Sequence, residues 1–528
     1  MKKLFLVTAI LILLWSCGSV EKYNDQINAL HSVEDLHNDI DKLYKQLQKH
    51  HPKLYQYVSK TDLEFKFDSL KKSIARPITS REFYKKLAPV VTNVKQGHVS
   101  VGSATKMFSR KERKLLLKKK FEFYDLDFEY LENKLWVKNT RGKDSTLTGS
   151  EVVSMDGESA SKLVDIYKKR FASDGYNTTM YNRAVGKAFS TLYYKDKGFL
   201  DSLNITFKNK DSLFIKTFRR IPKEENKNGA DSISNKKVTP KKLTKTEKKS
   251  KRIAKKKKRK DDKKYGYLSK RKQYNRNFDF IGADSAIAYM KLRSFTKGHY
   301  KKFYKESFAK LDSAKTKYFI LDLRDNGGGR IAEIDRLYSY LTDQDYQFIN
   351  ESEVNSRIPF LKFFMSNTTP NGLKILGGLL SPIFIAQNLI KVKKKEGKFY
   401  YKFKESKVRA PNPLNYQGKL YVLINGNSFS ASSLLSTHLK ATKSATFVGE
   451  ETGGAFNGCV AGIYKIYRLP ATKLEIRMGL MQIEAPYKQE PDGYGVEPDV
   501  EVTPSVKDRN ENIDTELEWV LVDIKRNM

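Results

Sequence analysis

The sequence predicts an α/β catalytic core behind a helical N-terminal region and a strand-rich middle region. Three observations carry that prediction. The apolar runs Tyr318-Phe319-Ile320-Leu321 and Leu420-Tyr421-Val422-Leu423-Ile424 have the length and composition of buried strands. Each runs into a turn, Asp325-Asn326-Gly327-Gly328-Gly329 in one case and Asn425-Gly426-Asn427 in the other. Helix-like stretches separate them, and strands alternating with helices argue α/β layering.

The elements follow in order. Residues 23–92 read as helical, because Val33, Leu36, Ile40, Leu43 and Leu47 keep three-to-four spacing. Ser80 is placed to cap the helix carrying Phe83, Leu87 and Val90. Residues 120–221 read as strand-rich, with Phe121-Glu122-Phe123-Tyr124 and Leu135-Trp136-Val137 as short strands. Gly149-Ser150-Glu151-Val152-Val153-Ser154-Met155-Asp156-Gly157 resembles a Gly-x-x-Ile-x-x-Ile-Asn-Gly element of PDZ modules, which bind an extended peptide end by strand addition. A purely structural β-subdomain is the other reading. Ala286 to Leu292 is the first expected strand of the core, and Phe303 to Leu311 the helix after it. Residues 372–390 hold Leu373, Ile375, Leu376, Leu379, Leu380, Ile383, Phe384 and Ile385. Pro382 and the flanking lysines argue against a spanning helix. An amphipathic helix packed on the core, a lid, and a membrane-surface patch all stay open. Asn512 to Ile524 reads as a closing helix.

The chain has 528 residues, 39% of them hydrophobic, enough for two or three domains. Its formal net charge is +40. Such a charge suggests nucleic acid at first, but it is unevenly spread. Residues 223–276 hold 23 Lys/Arg against 6 Asp/Glu and almost no apolar side chains. That composition predicts a disordered insert or tether that cannot offset its own ordering entropy. Contact with an anionic surface is a second reading. Nucleic-acid binding would need ordered aromatic platforms, and the insert has only Tyr265, Tyr267 and Tyr274, all near its end.

The first residues are Met1-Lys2-Lys3, then an apolar run from Leu4 to Leu14, then Trp15-Ser16-Cys17. A charged start and a short apolar run make an export signal. Leu14-Trp15-Ser16-Cys17 resembles a bacterial lipoprotein box, which implies lipidation of Cys17. A plain secretory signal is the alternative. The expected location is the bacterial cell envelope, as an outer-membrane lipoprotein facing the periplasm. The only other cysteine is Cys459, so no disulfide framework exists.

Two segments carry chemistry. Ser428-Phe429-Ser430-Ala431-Ser432-Ser433 follows a strand and a turn and precedes the helix-like Leu434 to Leu439. Such a mount lifts a hydroxyl out of a sheet and offers free helix N–H groups to an oxyanion. A serine-rich helix cap is the plain alternative. A hundred residues upstream, Asp322-Leu323-Arg324-Asp325-Asn326-Gly327-Gly328-Gly329 ends a strand in three glycines. These allow close backbone approach to a ligand and positive φ. The loop has neither dinucleotide nor phosphate-loop spacing.

Together these segments resemble the tail-specific (C-terminal processing) serine peptidases and their tricorn-core relatives. Gly449-Glu450-Glu451-Thr452-Gly453-Gly454 is similar to that group's Gly-Glu-x-Thr-x-Gly stretch, and Gly495-Val496-Glu497-Pro498-Asp499 to its closing Gly-(Val/Ile)-x-Pro-Asp. His51-Pro52 and Gly97-His98-Val99-Ser100 also match envelope members. The resemblance spans roughly residues 30–505 and implies a crotonase/ClpP-like layered core with a PDZ-like subdomain. The implied division is a lipoprotein signal peptide over 1–17, a helical domain carrying His98 over 23–119, and the PDZ-like subdomain over 120–221. A basic disordered insert over 222–277, the catalytic core over 278–505 and a C-terminal helix over 506–528 complete it.

The resemblance also implies roles. Processing peptidases carry a lysine base directly after the Gly-Glu-x-Thr-x-Gly stretch, but Ala455 stands there. The tricorn-type branch uses a histidine, which falls on His98. The implied reaction is hydrolysis of envelope polypeptides, with Ser430 as nucleophile and His98 as general base. Oxyanion donors would be Ala431 and one of Gly327 and Gly328. The acid orienting His98 would be Asp492, although an Asx-turn role before Gly493 is equally open; Glu450 is a second candidate. His31, His37, His50, His51, His299 and His438 are weaker candidates. No cofactor is expected, and no metal, because no ligand spacing is present. The alternative is a catalytically inactive relative that binds extended peptides or a hydrophobic ligand.

Overall fold

The structure, a computed structural model, describes residues 19–528 except 143, 224–243, 270 and 365. The export signal and Cys17 lie outside the described residues.

The core expected over residues 278–505 is built on a six-stranded sheet. Its order is Arg276–Ile281, Ile287–Leu292, Tyr318–Asp322, Lys419–Ile424, Thr446–Gly449 and Val500–Glu501. The first pair is antiparallel and the remaining pairs are parallel. Parallel strands need cover on both faces, which explains why the central two read as unbroken apolar runs. Alternation then divides each strand between two cores. Phe319, Leu321, Leu420, Val422 and Ile424 join the cluster beneath the helices Tyr300–Ser313, Ile331–Tyr338 and Ala431–Ala441. Tyr318, Ile320, Tyr421 and Leu423 face the opposite way, onto Val520 and Ile524 of the closing helix Thr515–Arg526.

A second six-stranded sheet runs beside the first. Its long strand Glu475–Ile483 pairs with Cys459–Arg468, with Ser352–Val354 and with the short Ser100–Gly102. That last strand comes from the N-terminal region. The helices Val33–His50, Lys60–Lys72 and Ser80–Val91 bury Leu36, Ile40, Leu43, Leu47, Phe83 and Leu87 in the same cluster as the core strands. The N-terminal helices and the strands of both sheets therefore pack as one body. Thr79, not Ser80, is the helix cap: it closes a capping box with Glu82, and Ser80 instead bonds His31 Nε2 at 2.9 Å. Residues 119–222 fold separately, as a seven-stranded antiparallel sheet under the helices Ala160–Lys168 and Thr179–Lys197, around their own apolar cluster.

Residues 224–243 of the basic insert lie outside the described residues, but its second half departs from the expectation of disorder. Residues Lys245–Tyr265 form a helix, opened by a Thr244–Glu247 capping box and closed by Gly266 in the left-handed region at φ 71°. Lysine, arginine and alanine are good helix formers, so composition that forbids a core does not forbid this helix. Its C-terminal end is tied to the body by Arg276, whose guanidinium donates to the carbonyls of Lys263 and Lys264 and lies over the Tyr300 ring. The sheet also starts two residues before the expected boundary at 278, at Arg276.

Five histidines, His31, His50, His51, His98 and His438, are buried in this body. Burial is the main force holding His50 and His438 down to about 4 and His51 and His98 down to about 3. Their unfolded value is near 6.5, so the unfolded chain binds more protons below that pH. Stability is accordingly full above about pH 6.5 and is lost as pH falls toward 4, by up to about 1.4 kcal/mol per pH unit for each histidine. Urea midpoints measured from pH 7.5 to 4.5 should fall steadily, and the fall should be shallower in His51→Asn, where the ring makes no hydrogen bond.

Candidate active site

Ser430 sits at the sharp turn between the strand Lys419–Ile424 and the helix Ala431–Ala441. Its backbone is at φ 59°, ψ −118°, a conformation that costs a non-glycine residue of order 1–3 kcal/mol. The surroundings enforce it. Ser428 Oγ donates to the Leu323 carbonyl at 2.8 Å, and the Phe429 N–H donates to the Asn326 carbonyl at 3.0 Å. The triple-glycine loop closes from above. A Cβ on Gly328, at φ 92°, would stand 2.7–2.8 Å from the Phe429 carbonyl, the Ala431 nitrogen and the Ser430 Cβ. Only glycine allows that approach.

His98 arrives from the other end of the chain. A turn closed by the Val99 N–H on the Gln96 carbonyl presents it just ahead of the strand Ser100–Gly102. Its Nε2 lies 3.0 Å from Ser430 Oγ. Its ring packs on Phe429 and Tyr464, with centroids 4.9 and 5.5 Å away. Burial, then the nearby Arg477 cation, pushes His98 down to about 3, so the ring is neutral at physiological pH. A neutral ring bonded to a hydroxyl can accept its proton.

The group at Nδ1 is not the expected acid. Tyr464 Oη lies 3.3 Å from His98 Nδ1. Asp492 does not reach the histidine. It accepts the Gly493 N–H at 2.7 Å, the Gln56 amide at 2.9 Å and the Tyr57 hydroxyl at 3.4 Å. Asp492 is thus held by its own turn and by Gln56 and Tyr57, and is linked to the histidine turn through Gln56 and Gln96. Glu450 is likewise elsewhere, paired with Arg183 at 2.6 Å. Burial raises the Tyr464 phenol to about 12, and the Arg477 guanidinium sits 3.6 Å over its ring.

The oxyanion donors also need correction. The Gly328 N–H is already donated to Asn326 Oδ1 at 2.9 Å. Gly328 shapes the elbow rather than offering a free donor. The N–H groups of Ala431 and Gly327 make no hydrogen bond among the described residues, and a Cβ on Gly327 would meet open space.

Sequence reasoning missed Asp174 and Cys459. Both line the cavity that opens at Ser430. Asp174 is wholly buried and accepts the Gly97 N–H at 2.7 Å, which fixes the residue before His98. Burial pushes its carboxyl up to about 7. The Cys459 thiol stands beside Ser430 and is held well above its usual pKa by burial, so it stays protonated and does not compete as a nucleophile. Neither residue carries a local sequence signal. The cavity measures about 350 Å³, and Ile331, Ala332, Phe403, Leu434, Ala461 and Ile483 give it apolar walls. No lysine lines it. The remaining histidines are structural: His438 Nε2 meets the Phe348 carbonyl at 2.6 Å, His37 meets the Lys71 carbonyl at 3.0 Å, and His299 is exposed. Among the described residues no group of His, Cys, Asp or Glu is placed to hold a metal ion.

Comparison with known proteins agrees with this architecture. Residues 286–502 match the model of Peptidase family S41. Mature CPAF complexed with lactacystin superposes with a TM-score of 0.59 at 13% identity, over 94% of this chain and 99% of that one. Mature CPAF gives 0.56 at 14% identity, over 91% and 96%. At that identity the likeness concerns the fold, and it extends over nearly the whole chain. No curated protein matches at significant sequence similarity.

The geometry predicts an unusual pH profile for any reaction at Ser430. His98 is neutral from pH 5 to 8 and contributes no inflection there. Asp174 titrates near pH 7, and its inflection should vanish in Asp174→Asn. Tyr464→Phe removes one hydrogen bond to the ring and should slow the reaction by up to about tenfold. Pseudo-first-order inactivation by a fluorophosphonate, followed from pH 5 to 8 in the three proteins, measures all of this.

Proposed function

We propose that this chain, whose residues 286–502 match the S41 peptidase family model, is a serine peptidase with Ser430 as nucleophile and His98 as general base. The observation that carries the reading is the 3.0 Å contact between His98 Nε2 and Ser430 Oγ on a strained turn. A serine hydroxyl is a weak nucleophile until a base takes its proton. His98 would take that proton as Oγ bonds to the scissile carbonyl carbon. The electron pair displaced onto the carbonyl oxygen would meet the N–H groups of Ala431 and Gly327, each such donor being worth roughly 3 kcal/mol in the transition state. The imidazolium then gives the proton to the leaving amine as the C–N bond breaks. Water, activated by the same ring, hydrolyses the acyl-serine ester.

The remaining residues prepare this sequence. Tyr464 Oη can accept a hydrogen bond from Nδ1–H, which keeps the Nε2 lone pair on Ser430. Phenol is a weaker partner for imidazolium than carboxylate, and Arg477 lies nearby. The base is therefore weak in the free enzyme, and a bound substrate that excludes water would strengthen each contact. Apolar cavity walls favour an apolar side chain beside the scissile bond.

The setting we infer is the bacterial envelope. Its support is the charged, apolar N-terminal run ending in Leu14-Trp15-Ser16-Cys17, with acylation of Cys17 as the anchor. Exported and envelope polypeptides would then be the substrates.

An unfolded polypeptide incubated with the protein tests the activity. Mass spectrometry should find cleavage beside apolar residues, reduced at least about a thousandfold in Ser430→Ala. Peptide binding without cleavage would contradict the reading. It would favour a relative that keeps the fold for binding only, which the missing lysine at Ala455 and the missing acid at His98 Nδ1 would then explain.

A further inference from the structure

Residues 371–391 are two short helices, Asn371–Leu379 and Ser381–Lys391, joined at a 64° bend. They do not pack as a core helix. Along both, only Gly377 and Asn388 are buried. Leu379, Ile383 and Ile390 are 74%, 65% and 79% exposed, and Leu373, Ile375, Leu376 and Leu389 are each about half exposed or more. An apolar face of this size is rare on a surface that meets only water. Nor does the pair serve as a lid in this conformation, because none of its residues lines the cavity at Ser430.

Charge identifies what covers the face. From Val354 to Lys395 the chain has seven lysines and arginines and no acidic residue. The strand Val392–Lys395 leaves the second helix directly and exposes Lys393, Lys394 and Lys395. Lys395 and Lys398 pair with Glu351 and Glu353, whereas among the described residues Lys393 and Lys394 make no ion pair within 4 Å, and Lys393 only feels Glu351 at longer range. A second copy docking through the same face would bring these like charges together. A soluble polyanion would satisfy the lysines and leave the leucines and isoleucines in water. An anionic bilayer surface satisfies both, with acyl chains for the helices and headgroups for the lysines. Both ends of the segment are tied to one sheet. The Asn367 amide donates to the Arg468 carbonyl at 2.6 Å, and Val392–Lys395 is a strand of the same sheet. The segment therefore leaves the body and returns on the same side. No described single helix is long and apolar enough to cross a membrane.

We infer that the bent helix pair 371–391 is a monotopic membrane-docking element that inserts Leu379, Ile383 and Ile390 into the headgroup–acyl boundary of an anionic bilayer. Cys459–Arg468, the strand against which the segment is tied, also carries Tyr464. Docking would hold the site at a fixed position relative to the membrane, independently of any lipid on Cys17.

The full chain with Cys17→Ser tests this without an acyl anchor. An environment-sensitive dye is attached to Ile383→Cys, and to exposed Ser313→Cys as control; buried Cys459 stays unlabelled. Vesicles of phosphatidylcholine with 30% phosphatidylglycerol carry a lipid-borne nitroxide quencher. The expected result is a blue shift and quenching at position 383, none at 313, and about tenfold weaker partition onto pure phosphatidylcholine. A position-383 dye that stays in water while the chain floats with vesicles overturns the proposal, since another segment then binds. A blue shift that needs no vesicles and grows with protein concentration overturns it in favour of a second copy. An equal response on phosphatidylcholine overturns the assignment to anionic lipid.

Discussion

The contact between His98 and Ser430 joins residues 332 apart, and the rest of the structure is arranged to hold it. A base on one region and a nucleophile on another need a frame that does not flex, because an ångström of misplacement can cost a hundredfold in rate. The frame here has three parts. The N-terminal helices share one apolar cluster with the core strands. The strand Ser100–Gly102 is hydrogen-bonded into the sheet that carries Tyr464. Asp174, from the strand-rich region, pins Gly97 from the far side. Each part comes from a different stretch of chain, which explains why the family-matched segment 286–502 does not contain the histidine.

Burial sets the protonation states at the site, with charge as a smaller correction. His98 is held neutral, Cys459 is held as a thiol and Tyr464 as a phenol, all principally through loss of water. The same burial makes an unpaired imidazolium costly. Tyr464 and Arg477 do not offset that cost as a carboxylate would, so the free site favours the resting state. In the proposed reaction, substrate binding would supply part of what a conventional orienting acid supplies in advance.

Much of this was legible in the sequence, where local pattern reflects local physics. The buried strands, the Ser430 turn and the triple-glycine loop are contiguous, and their residue types are forced by sheet burial and positive φ. His98 was legible only through resemblance. Tyr464 was not legible: it lies mid-strand between Ile463 and Lys465, where a tyrosine is ordinary β-sheet composition. Asp174 reads as a turn residue before Gly175. Asp492 was misplaced because spacing from the closing motif gives position but not side-chain reach, and the Gly493 N–H, Gln56 and Tyr57 take up its carboxylate oxygens. The helix Lys245–Tyr265 is not legible from hydrophobicity, because low hydrophobicity argues against a core and says nothing of a solvated helix.

The most direct test of the account is covalent labelling of Ser430 by a fluorophosphonate, read by mass spectrometry in wild type, Ser430→Ala and His98→Ala. The account predicts a single adduct on Ser430 in the wild type, none in Ser430→Ala, and labelling slowed at least about a thousandfold in His98→Ala. Labelling at the wild-type rate in His98→Ala would contradict it, because the 3.0 Å contact would then not be the base–nucleophile pair.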